Sequence, residues 1–328
     1  MIRKTVVAAL AAACLTGPAV ANDSVASMGA GGLVLQRTDG IVMRSEDLFV
    51  SAAEIRVRYA FFNRTGQDIS TIVAFPLPDI VGGGEGDVAL SDPAHLEFST
   101  LVDGRQVATE VEQKAVKDGV DHTGLLRRLG VPLSPYDDAV RDALAGLPRA
   151  EIDRLIDLGL IEDRGYANGA VAVIELAPLW TLKTTHYWTQ VFPAGRVLDV
   201  DHRYIPAIGG SVGSAFGDPD LMESEWFHED RTRYCADPAF IAAARRKRER
   251  GEYLTETWID YVLTTGANWA EPIGDFRLVV DKGSAANLVS FCGDGVRRIG
   301  PTQFEIRRRN FTPDRDLAVL ILTGARPD

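Results

Sequence analysis

The chain has 328 residues, with 35 Lys and Arg against 46 Asp and Glu, for a formal net charge of −11. An acidic surface repels phosphate backbones, which argues against nucleic acid as the main partner. A chain of this length suffices for two lobes or one large β domain.

The N-terminus reads MIRKTVVAALAAACLTGPAVAND. Arg3 and Lys4 form a basic start, Thr5 to Leu15 an apolar run, and Ala19-Val20-Ala21 the small-x-small pattern of leader cleavage. Residues 1–21 are therefore expected to be a signal peptide cut after Ala21, with Asn22 as the mature start. Cleavage removes Arg3 and Lys4 and no acid, moving the formal charge from −11 to −13. The run is too short to span a membrane, and no later segment approaches that length. Cys14 offers a competing lipid-anchor reading, weakened by Ala11 where leucine is usual. The expected address is the periplasm or the exterior, reached unfolded because no twin-arginine pair is present.

Strand patterns dominate the first third. GAGGLVLQRTDGIVMR (29–44) reads as two short strands about an Asp39-Gly40 turn. Glu54 to Phe62 alternates, with Ile55, Val57 and Tyr59 on one face and Arg56 and Arg58 on the other. Asn63-Arg64-Thr65-Gly66 is read as a hairpin turn, with Ile69 to Phe75 returning. Pro76 and Pro78 cannot continue a central ladder, so the strand is predicted to end there, before the glycines of GGGEG (82–86). Leu96–Val102 and Gln106–Gln113 read as a hairpin about Asp103-Gly104.

From His122 to Asp163 the apolar spacing changes to three and four, which predicts three short helices. Two readings stand for this insertion: a cap on the sheets, or a lid over a pocket. Strands resume at Ala170–Glu175. Lys183–Phe192 and Val197–Ile205 are expected to pair about Pro193-Ala194-Gly195. A helix is predicted near 237–250, carrying five basic residues between Arg245 and Arg250. Short strands finish the chain. The predicted class is mainly β: two β-sandwich-like lobes with a helical insertion. The parts are an N-terminal β-sandwich part (22–120), the insertion (121–165) and a β-rich C-terminal part (166–328).

Candidate sites are sparse. Cys235 and Cys292 are an even pair in an oxidising compartment, most simply a disulfide; there is no CxxC and no histidine at ligand spacing. GGSVG (209–213) matches G-x-S-x-G at Ser211, but no helix pattern follows, and no βαβ alternation exists to build a hydrolase elbow. His186, His202 and His228 are too few for a firm zinc site, so no metal or cofactor is expected. His186 and His202 are expected to lie on neighbouring strands. Trp180, Tyr187, Trp188, Phe192 and Tyr204 gather around the same region, as sheet core or as a stacking platform for a ligand. The candidate ligand-binding residues are Tyr187, Trp188, His186, His202 and Trp180. Glu223, Glu225, Glu229 and Asp230 offer paired carboxylates for a glycan hydrolase.

Taken in order, GGLVLQRTDGIVMRSEDLFVS, VRYAFFNRTGQDISTIVAFPLPD, YWTQVFPAGRVLDVDHRYIPAIGG, YVLTTGANWAEPIGDFRLVVDKG, Cys292 and NFTPDRDLAVLIL resemble the exported bacterial family called domain of unknown function 4424. The resemblance covers nearly the whole mature chain. It implies an exported, mainly β protein with no defined activity and no catalytic residues to carry over. Separately, F-x-N-x-T followed by F-P-L-P over residues 57–80 is similar to the hairpin of the vault/inter-α-trypsin (VIT) domain. The leading expectation is a non-catalytic periplasmic binding or interaction module. Its partner is expected to be an envelope protein or a small-molecule or glycan ligand, and the alternative is a secreted glycan hydrolase.

Overall fold

The computed structural model describes residues 22–84, 87–88, 97–168, 171–173 and 175–326. The expected signal peptide and Cys14 lie outside the described residues, as does part of GGGEG.

The chain opens with strands β1 (Ser24–Gly29), β2 (Gly32–Gln36), β3 (Ile41–Val50), β4 (Ile55–Asn63) and β5 (Ile69–Pro76), then the short β6 (Ile80–Val81) and β7 (Asp87–Val88). Next come β8 (Ser99–Val102), β9 (Arg105–Val107), β10 (Glu110–Lys117) and β11 (Val120–Asp121). Helices α1 (Thr123–Arg128), α2 (Asp138–Ala145) and α3 (Arg149–Asp157) follow. Two small ribbons are built from β12 (Ile161–Asp163), β13 (Tyr166–Asn168), β14 (Val171–Val173) and β15 (Leu176–Pro178). The long β16 (Thr181–Phe192) and β17 (Val197–Tyr204) lead to β18 (Ile208–Ser211), α4 (Glu225–Arg233) and α5 (Pro238–Glu249). The last strands are β19 (Tyr253–Tyr261), β20 (Ile273–Asp281), β21 (Leu288–Phe291), β22 (Arg297–Arg298), β23 (Gln303–Phe311) and β24 (Leu317–Ala325).

The fold is mainly β. An eight-stranded sheet, ordered β22-β23-β20-β3-β4-β17-β8-β9, forms one layer. Its inner face packs on two others: a seven-stranded sheet carrying β10, β16, β5 and β1, and a five-stranded sheet carrying β24 and β19. The eight-stranded sheet is continuous across both halves because β3 pairs in parallel with β20, setting Leu48 beside Leu278. Alternation explains the layer: Ile55, Val57, Tyr59 and Phe61 of β4 are buried, while Arg56 and Arg58 point out. The helices cover a second core. Leu126, Leu144 and Leu155 pack on Ala115, Trp180 and Leu182. A third core forms where Phe227 of α4 and Phe240 of α5 meet Leu254, Leu320 and Leu322.

Three expected pairings are not formed. β4 and β5 do not make a hairpin: β4 pairs with β3 and β17, whereas β5 pairs with β1 and β16 in the opposite sheet. Likewise β16 and β17 lie in opposite layers, and β2 and β3 in different sheets. Each turn is an arch between layers. Alternation reports a half-buried strand without saying which layer it joins. The two arches brace each other: Asn63 Nδ2 donates to Phe192 O at 2.8 Å, and Gly195 N donates to Asn63 O at 3.0 Å. The hairpin about Asp103-Gly104 forms with Val102 facing Arg105, but its second arm is only β9; Glu110–Gln113, expected in the same arm, belong to β10 in the seven-stranded sheet. Both turn residues have positive φ, 46° and 73°, which suits Asp-Gly.

β5 ends at Pro76, as its missing N–H requires. α5 starts as expected, Asp237 Oδ1 accepting from Phe240 N at 2.7 Å. Cys235 and Cys292 are bonded, tying the residues after α4 to the end of β21. Among the described residues no helix is long and apolar enough to cross a membrane.

Candidate functional site

The outer face of the eight-stranded sheet is lined with arginine. Residues at alternate positions of β4, β17, β20 and β23 leave the core together, which brings out Arg56, Arg58, Arg203, Arg277, Arg307 and Arg309. An open cleft of about 650 Å³ runs over Phe49, Arg56, Arg58, Gln106, Arg203 and Arg277. A second, of about 550 Å³, continues it over Arg307 and Arg309, with Asp47, Arg58 and Arg277 bordering both.

These arginines are paired with acids, most of them less exposed; the exception at the cleft is Asp47, which accepts from Arg277 Nη1 at 3.0 Å and is the more exposed partner. Arg58 Nε donates to Asp201 at 2.6 Å, and the guanidinium side chain is 71% exposed against 31% for the carboxylate. Arg56 and Arg203 share Glu54, at 3.0 and 2.7 Å. The Arg56 guanidinium also lies 4.5 Å over the Phe49 ring. Arg277, Arg297 and Arg307 converge on Glu305, whose side chain is 6% exposed. Hydrogen bonds from Arg307 and Arg277 hold that carboxyl down to about 2. At Arg58 and Arg203 the acids orient the forks from a less exposed position and leave the guanidiniums outermost, an arrangement suited to anionic oxygens.

A second cluster lies inside the sandwich. Asn22, Asp23 and Ser24 are fully buried. His202 Nε2 stands 3.1 and 3.2 Å from the two Asp23 oxygens, and its Nδ1 meets Thr100 Oγ1 at 3.0 Å. Trp269 Nε1 donates to Asp23 O at 2.8 Å. Asn22 Nδ2 donates to Glu46 at 3.0 Å, and Tyr59 OH donates to Asn22 Oδ1. A bulge between Met43 and Ser45 puts Glu46 inside: Ile41 and Met43 face the core before it, Glu46, Leu48 and Val50 after it. Burial pushes the Glu46 carboxyl up to about 8 and raises Asp23, which His202 opposes in part.

The residues singled out in sequence fall into three places. His186, Trp188 and His202 meet in the core, where Phe98 stacks on both imidazoles, at 4.0 and 5.3 Å between ring centroids. The two histidines approach across the layers rather than along neighbouring strands. Burial pushes His186 down to about 4. Tyr187 points to the other face of the seven-stranded sheet and donates to Glu110 at 2.9 Å. Trp180 is buried beneath the helices, its Nε1 donating to Leu133 O at 2.7 Å. Tyr187 and Trp180 therefore do not join the other three.

Glu223, Glu225 and Glu229 are exposed on and before α4, and Asp230 faces Arg233 and Glu229 of the same helix. None of the four lines either cleft of the arginine face. Ser211 ends a strand and its Oγ accepts from Gly213 N at 3.3 Å; no helix follows to form an elbow. Among the described residues no three potential ligands converge on a metal site. The arginine face was missed in sequence although Arg56 and Arg58 were assigned to one side of a strand. The remaining signal was the same spacing at Arg307 and Arg309.

The model of a family described as Domain of unknown function (DUF4424) matches residues 21–320. No curated protein matches the chain. Among solved structures, a candidate nutrient-binding protein of Legionella pneumophila is similar at 15% identity and a TM-score of 0.47, covering 92% of this chain and 70% of that one. An M1 zinc metallopeptidase of Deinococcus radiodurans is similar at 10% identity and a TM-score of 0.21, covering 87% of this chain and 43% of the peptidase.

Proposed function

The chain belongs to the DUF4424 family, and we propose that it is a non-catalytic, exported binding module of the periplasm whose site is the arginine-lined sheet face. The ligand class is a small molecule bearing several carboxylate or phosphate oxygens. One observation carries this reading: guanidiniums oriented by buried or half-buried acids form the rim of a cleft of about 650 Å³, a volume typical of small-ligand sites. In a chain of net charge −11 such a surface is a local exception. The leader sequence supports export, and the bonded cysteines suit an oxidising compartment.

Thermal unfolding with citrate and with pyrophosphate, against sodium chloride at matched ionic strength, tests the ligand class. At least one anion is expected to raise Tm above the chloride control, by several degrees near saturation. Arg58→Gln with Arg203→Gln is expected to abolish the rise while leaving the unliganded Tm within about 2 °C, since exposed pairs contribute little. Equal shifts in variant and wild type would put the ligand elsewhere. No shift with either anion would count against the class.

A further inference from the structure

The polar cluster at the start of β1 buries two carboxyls with no lysine or arginine paired to either among the described residues. Two carboxyls, Asp23 and Glu46, are buried with a single imidazole, His202, which is engaged with Asp23. Glu46 receives one hydrogen bond, from Asn22 Nδ2 to Oε2, and its Oε1 is buried with no partner. The groups facing it from the packed strands are Asp23, Tyr59 of β4 and Tyr261 of β19, whose hydroxyls lie 3.0 Å apart. None is a cation. A buried carboxylate in this setting needs a charge partner or must keep its proton.

Asn22, the residue that bonds Glu46, is also the expected mature start. We propose that this pocket is a seat for the chain's own N-terminal ammonium, created when the leader is cut between Ala21 and Asn22, so that processing completes the core. In that step water hydrolyses the peptide bond, the carboxylate leaves with Ala21, and the nitrogen stays on Asn22 as an ammonium. It then supplies a positive charge beside Glu46. Because Asn22 is fully buried in the fold, the cut precedes folding of this edge.

The inference rests on the export reading but not on the arginine face, so the two fail separately. The test inserts Gly-Ser between Ala21 and Asn22, so that the exported, oxidised chain carries two extra residues; intact mass verifies both starts. At pH 7 the extended chain is expected to melt about 5 °C or more below the mature one. The pH profiles should also diverge. With an amide at Asn22, folded Glu46 holds its proton to about 8 while the unfolded chain releases it near 4.5, so stability falls as pH rises across that window. With the ammonium present the Glu46 contribution to that fall is removed, so the mature chain loses less stability between about pH 5 and 7. Glu46→Gln should stabilise the extended chain at pH 8 and destabilise the mature one. If the extended chain does not fold, acylation of the α-amine decides. In the folded mature protein it should be slower than in urea by about tenfold or more, as expected for a buried, paired amine. Equal stability of the two starts, equal effects of Glu46→Gln, unprotected acylation, or a natural start other than Asn22 would each overturn the proposal.

Discussion

Asp23→Ala is expected to destabilise the mature protein by about 1–3 kcal/mol, the cost of leaving a buried polar side chain without its hydrogen-bond partner. Both side chains of the Asp23–His202 pair are fully buried. Removing the carboxylate leaves His202 among Tyr59, Phe75, Phe98 and Trp188, with only Thr100 as a polar partner. The Trp269 bond would survive, because it is accepted by the Asp23 backbone carbonyl. Urea unfolding followed by tryptophan fluorescence measures the loss. Asp23→Asn, which keeps a hydrogen-bonding oxygen, should lose less. Asp23→Ala with His202→Phe should recover part of the deficit, since neither member of the pair is then left without the other. A loss under about 1 kcal/mol for Asp23→Ala would mean that the pair contributes little and the pocket is wetter than its burial implies.

Removing the disulfide is the other large effect. Cys235 and Cys292 close a loop of 57 residues, which the chain-entropy model values at about 4 kcal/mol. The loop contains α5, β19 and β20, so it ties the outer helices to strands of two sheets. Cys235→Ala with Cys292→Ala should lower Tm by about 6 °C, and reductant should do the same to the wild type. Of the arginine face, β3, β4 and β17 lie outside the loop and only β20 lies within it, so anion binding below the new midpoint should persist. A shift of less than about 2 °C would mean that the third core holds α4 and α5 in place without the bond.

Much of the architecture was legible before any coordinates. Alternation from Ile55 to Phe62 identified a half-buried strand, the Asp103-Gly104 turn named its own hairpin, and Asp237 capped its helix. The layer of each strand was not legible. Asn63-Arg64-Thr65-Gly66 and Pro193-Ala194-Gly195 look like hairpin turns, yet each carries the chain to the opposite sheet. Helix α4 was missed because its core contact is Phe227 alone among exposed charges. Glu46 reads as a surface acid until the bulge after Met43 turns it inward. The site was hidden for a related reason. Arg58, Arg203, Arg277 and Arg307 are distant in sequence, and only the strand order β23-β20-β3-β4-β17 makes them one surface.

The central claim is that this surface holds an anionic small molecule. Native mass spectrometry on protein taken from its own periplasm tests it most directly, with a denatured aliquot giving the intact mass. The account predicts a chain starting at Asn22 with added mass that survives native spray and leaves on denaturation. That added mass should be missing from the Arg58→Glu, Arg203→Glu variant prepared the same way. A bare wild-type chain, or an adduct that the variant retains, would contradict it.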